Sequence, residues 1–141
     1  MRLCLVVANQ TLMGEELLQT LLAKQGEGGT AFHVVVPATH PKGAWSEGSV
    51  HAEMAERLEQ ARAHFAEHGI EITGEIGDAN PIRAVEDAML AENFDEIIVS
   101  TLPLGPSHWL RADVPTRIRR NHPEIPVTHV MAAAVAGHAI Q

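Results

Sequence analysis

Residues 94–130 read FDEIIVSTLPLGPSHWLRADVPTRIRRNHPEIPVTHV, and the parsing of that stretch decides the fold. FDEIIVST is a short apolar run rich in β-branched residues, the pattern of a buried strand. Residues 100–115, STLPLGPSHWLRADVP, carry Ser, Thr, Gly, Pro, Trp and Arg and read as a loop. TRIRRN is short and basic and reads as a solvated helix whose late cations complement the negative end of its dipole; the alternative reading is local attraction of an anion to the neighbouring loop. PVTHVMA, residues 126–132, is a further strand. Strand, loop, helix and strand in that order make a parallel crossover.

The same unit recurs upstream. LCLVVAN (3–9) is followed by a helix around GEELLQTLLAKQ, in which Met13, Leu17, Leu18, Leu21 and Leu22 recur at helical spacing and GEGG stops the chain. AFHVVV (31–36) is a second buried strand, closed by Pro37. Val50, Met54, Leu58, Ala61 and Phe65 then mark an amphipathic helix ending at Gly69, with Glu53 and Arg57 paired on its outer face. IEITGEIG is the third strand. Asn80 and Pro81 form a cap and first turn for a helix with its stripe at Ile82, Val85 and Met89, ending near Asn93.

Five strands interleaved with four helices predict an α/β, Rossmann-like open sheet of parallel strands with helices on both faces. The whole of 1–141 reads as one domain, with 136–141 as a weakly patterned tail. Such a sheet takes ligands outside the C-terminal ends of its strands, where strand order reverses. That rule selects ANQT after the first strand, the loop after the second, and STLPLGPSHW after the fourth.

The chain has 141 residues, 45% of them hydrophobic and 20% charged, an ordinary composition for a soluble globular protein. It has no apolar run long enough for a membrane span, and LCLVVA reads as a strand rather than a signal segment; a cytoplasmic protein is expected. The net charge of −8 disfavours nucleic acid as a partner. Against that balance, Arg111, Arg117, Arg119 and Arg120 are four of the ten Lys and Arg residues, gathered in residues 111–120 beside the loop. The single cysteine, Cys4, lies inside the first strand and is expected to be buried and inert.

HFAEH (64–68) has the HxxEH spacing of one metalloprotease class. Both histidines close a helix, where the dipole favours them, and no further ligand is evident, so no metal is assigned. His33 and His129 lie in strands and read as packing or surface residues. Trp45 and Trp109, at the functional edge, can stack on a ligand ring or cover the sheet end; covering is favoured. Ser107 beside His108 could suggest a hydrolase, but adjacent residues aim poorly at each other and no orienting acid accompanies them. No catalytic residue is assigned.

The order of these elements, and residues 94–130 above all, resembles the universal stress protein family. There the fourth strand reads like DLIVVG and leads into a G-x2-G-x9-G-[ST] loop, a helix and a PVLVV-like strand. FDEIIVS, a loop of matching length, VPTRIRRNHPEI and PVTHV follow the same order and spacing, and CLVVANQT with a Leu-rich helix matches the family's start. Asn9 stands where an Asp often meets adenine. The resemblance implies a strand order of 3-2-1-4-5. It also implies a cofactor-binding set of Ala8, Asn9, Val36, Ser100, Thr101, Gly105, Ser107, Arg111 and Thr116, with ATP or AMP as cofactor.

The glycine motif itself has changed. Ser100, Pro103 and Asp113 occupy the three glycine positions and Val114 the hydroxyl position, with Thr116 keeping a later hydroxyl. Glycines let a loop take positive φ and bring backbone N–H groups to phosphate oxygens. Pro103 has no N–H to offer, and Asp113 adds a negative charge where a triphosphate would arrive. The usual ATP grip is therefore not expected. The expectation is a non-enzymatic stress-response protein acting through ligand or partner binding and as a homodimer paired through its apolar C-terminal edge strand. The alternative is an adenine-nucleotide switch using Asn9, Val36, Thr101 and Thr116.

Overall fold

The structure is a computed structural model, and it describes residues 2–38, 47–102 and 113–132. The elements are β1 (Arg2–Val7), α1 (Glu15–Gly26), β2 (Thr30–Pro37), α2 (Glu47–Ala66), β3 (Ile72–Gly77), α3 (Pro81–Ala91), β4 (Glu96–Thr101), α4 (Val114–Asn121) and β5 (Val127–Met131). All strand pairs are parallel, and the sheet order is β3-β2-β1-β4-β5, as expected.

Alternation along β1 divides the core between two faces. Cys4 and Val6 pack with Leu17, Leu18 and Leu21 of α1 and with Val50, Met54, Leu58, Ala61 and Phe65 of α2. Leu5 and Val7 pack with Ala84, Val85 and Ala88 of α3 and with Val114 and Ile118 of α4. Both faces of the central strands are therefore dry, which is why their sequences are nearly unbroken apolar runs.

The predicted stripe of α2 is buried throughout. The helix closes with Gly69 at φ 79° and paired bonds from Gly69 N to Ala66 O and from Ile70 N to Phe65 O. This is the Schellman arrangement, with Phe65 and Ile70 supplying its apolar contact in the core. The α3 cap is also as expected: Asn80 Oδ1 accepts from Ile82 N at 2.9 Å.

Two helix faces differ from expectation. Met13 is not on the α1 stripe but is 48% exposed. Bonds from Leu12 N to Asn9 O and from Gly14 N to Thr11 O turn the chain before α1 begins, placing Leu12 in the core instead. On α3 the buried line runs through Ala84, Val85 and Ala88, with Ile82 and Met89 at its margins. Small residues bring that helix close to the sheet: a Cβ on Gly77 would lie 2.8 Å from Val35 Cγ2 and 2.9 Å from Ala84 Cβ.

Candidate functional site

Strand order reverses between β1 and β4, because β2 and β3 extend the sheet on one side and β5 on the other. The register sets Val7 beside both Val35 and Val99, so these strands end nearly level. The residues just beyond that level form a polar row across the C-terminal edge, above a core that is otherwise apolar.

Asn9 is the first member of the row. Its Nδ2 donates to Pro37 O at 2.8 Å and lies 3.4 Å from Met54 Sδ, while its Oδ1 accepts from Arg57 Nη1. The amide orientation follows from chemistry, since Pro37 O can only accept and the guanidinium can only donate. Thr11 and Ser100 come next, both buried and joined through their hydroxyls at 2.5 Å across the β1–β4 crevice. Thr101 follows, bonded to His129 Nε2 of β5 at 2.8 Å. Burial, and then the Arg119 guanidinium, lower the His129 pKa from 6.5, which favours the neutral imidazole.

The expected site residues are thus only partly gathered. Asn9, Ser100 and Thr101 lie in the row. Ala8 and Val36 are adjacent in the fold, but their side chains belong to the α1/α2 core. Thr116 is exposed on α4. Gly105, Ser107 and Arg111 lie outside the described residues, as do Trp45, Pro103, His108 and Trp109. Arg57 requires a correction. It keeps its ion pair with Glu53 at 3.3 Å, yet it also turns inward over Asn9 rather than remaining on the outer face of α2.

Thr11 and His129 join the row without having been singled out as site residues. Thr11 had a visible signal, as the hydroxyl of the ANQT segment. His129 had none beyond its place in the fifth strand, because its partner is 28 positions away. Among the described residues no three His, Cys, Asp or Glu side chains converge as a metal site. His64 and His68 instead pack edge to face, 5.1 Å between ring centroids. No helix among the described residues is long and apolar enough to cross a membrane.

Asp113 stands just before α4 with φ 57° and ψ 39° and makes no side-chain cap bond. Among the described residues it is the one non-glycine with positive φ. The backbone at this position takes a conformation that glycine adopts most easily.

No protein-family model matches the chain, and no curated protein does. Solved structures do match in fold. A protein from the universal stress protein family of Burkholderia pseudomallei superposes with a TM-score of 0.63 at 14% identity, covering 91% of this chain and 94% of its own. A universal stress protein in complex with cAMP superposes with a TM-score of 0.60 at 11% identity, covering 94% of this chain and 98% of its own. The chain has the universal stress protein fold. The likeness runs through the sheet order and the whole α/β alternation, so the β1–β4 crevice occupies the switch point of that fold.

Proposed function

We propose that this chain is a divergent, non-enzymatic universal stress protein that acts in the cytoplasm by binding a small ligand or a protein partner and by pairing with a second copy through β5. The observation that carries the ligand-binding part is the polar row at the switch point. Asn9, Thr11, Ser100 and Thr101 are all buried there at the one edge where such a sheet takes ligands. Thr101 lies beside the His129 imidazole, but among the described residues no carboxylate orients that ring, which favours binding over turnover.

The conventional triphosphate grip is lost in this reading. Asp113 puts a carboxylate at the helix N-terminus that backbone N–H groups would otherwise offer to phosphate. Calorimetry with ATP, AMP and magnesium tests this point. Only weak or no ATP binding is expected, and tight, saturable ATP binding would overturn it. Light scattering at micromolar concentration tests the pairing, with a dimer expected and a clean monomer counting against it.

A second reading, an adenine-nucleotide switch, is favoured by two observations. One structure of the same fold holds cAMP. Asp113 also preserves the left-handed backbone that a glycine would give the loop. In this reading Asn9, Val36, Thr101 and Thr116 make the nucleotide contacts.

A further inference from the structure

We infer that Arg57 is a latch on the Asn9 end of the crevice: a ligand that contacts Asn9 must displace its guanidinium, and it must do so with a neutral hydrogen-bond donor. The inference rests on the crevice being a ligand site. Asn9 is only 7% exposed, and the protein itself uses nearly all of its hydrogen-bonding capacity. Both Nδ2 hydrogens are directed at Pro37 O and Met54 Sδ, and one Oδ1 lone pair is taken by Arg57. With Asn9 almost wholly covered and Arg57 seated on Oδ1, a ligand gains that acceptor only by displacing the guanidinium, so the ligand group must be an N–H or O–H. A cationic amine is disfavoured, because it would arrive beside a guanidinium.

The latch has somewhere to go. Glu53 lies one helical turn before Arg57 and bonds its Nη2 at 3.3 Å, with the Glu53 side chain 50% exposed and that of Arg57 29% exposed. The guanidinium can leave Asn9 and swing outward without losing its carboxylate. Opening therefore costs one charge-assisted hydrogen bond rather than a stranded charge, equivalent to a loss of about tenfold in ligand affinity.

The test uses cAMP, whose base carries an amino donor, and cyclic purine riboside monophosphate, in which hydrogen replaces that amino group and the ring carries no N–H. Titrations of the full chain should give cAMP binding about tenfold tighter in Arg57→Ala than in wild type. No such gain is expected for the purine riboside analogue. Glu53→Ala should shift cAMP affinity the other way, because it removes the outward partner and favours the closed latch. Arg57→Lys, shorter and without the planar fork, serves if Arg57→Ala does not fold, and should bind cAMP more tightly than wild type. Unchanged or weaker cAMP binding in the folded Arg57 variant, or no detectable cAMP binding in either protein, overturns the latch. In those cases a persistent dimer with weak ATP binding leaves the proposed function standing, whereas a clean monomer that binds ATP tightly removes it as well.

Discussion

Cys4 has no exposed surface, and burial, followed by the nearby Glu96 carboxylate, pushes its thiol up to about 12. The thiolate is the reactive form, so Cys4 should resist a disulfide reagent in the native protein and react in full only once denaturant has unfolded it. Rapid native labelling, monitored by absorbance, would contradict this. Glu96 itself is buried between Arg2 and Lys24, which reach it from β1 and α1 at the N-terminal end of the sheet. Glu96→Ala would leave Lys24 largely buried without its partner, and a loss of about 2–3 kcal/mol is expected in chemical denaturation. At the other end of the sheet, His129 has a folded pKa below its ordinary 6.5. The unfolded chain therefore takes up a proton more readily than the folded one. Its contribution to stability is complete above pH 6.5 and is lost as pH falls through the lower folded value. His129→Gln should flatten that part of the stability–pH curve; an unchanged slope would show that other groups control it.

At the scale of elements, the helices were legible wherever apolar spacing and caps agreed. The stripe of α2 and the Asn80 cap of α3 needed only local information, and so they could be read from sequence. Met13 was misplaced because backbone turn bonds decide where α1 begins, and helical spacing does not register them. The inward turn of Arg57 was hidden for a related reason. An i,i+4 partner is evident in sequence, whereas a partner 48 positions away is not. Of the polar row, the positions of Asn9, Ser100 and Thr101 were legible because strand ends at a switch point follow from topology. The bonds that occupy them depend on the register between distant strands. The junction of the loop with α4 offers a test of its left-handed residue. Asp113 pays for a left-handed backbone that glycine adopts freely, so Asp113→Gly should raise stability by up to about 1 kcal/mol in thermal or chemical unfolding. It also removes a carboxylate from the helix N-terminus, and ATP affinity should rise in the same variant. A loss of stability would mean that the Asp113 side chain holds this junction in place.

For the molecule as a whole, β5 forms an edge of the sheet with no described strand paired beyond it. Ile97 N donates to Pro126 O and Ala132 N to Thr101 O, so the even-numbered residues of this segment face β4. By alternation, the backbone groups of Val127, His129 and Met131 point away from the sheet. Arg119 Nη2 reaches the outward carbonyl of Val127 at 3.4 Å, which caps that position with a side chain. Among the described residues nothing meets the outward backbone groups of His129 and Met131, and Met131 is 47% exposed. An apolar edge of this kind is better paired than open. The net charge of −8 on each copy opposes association at low salt, so added salt should tighten a dimer. Met131→Pro separates pairing from folding, because it removes an outward N–H while the Ala132 N to Thr101 O bond to β4 is retained. The expected outcome is a monomer by light scattering with an unchanged circular dichroism spectrum. A Met131→Pro protein that remains dimeric would move the interface away from β5, and a monomeric wild type would remove it altogether.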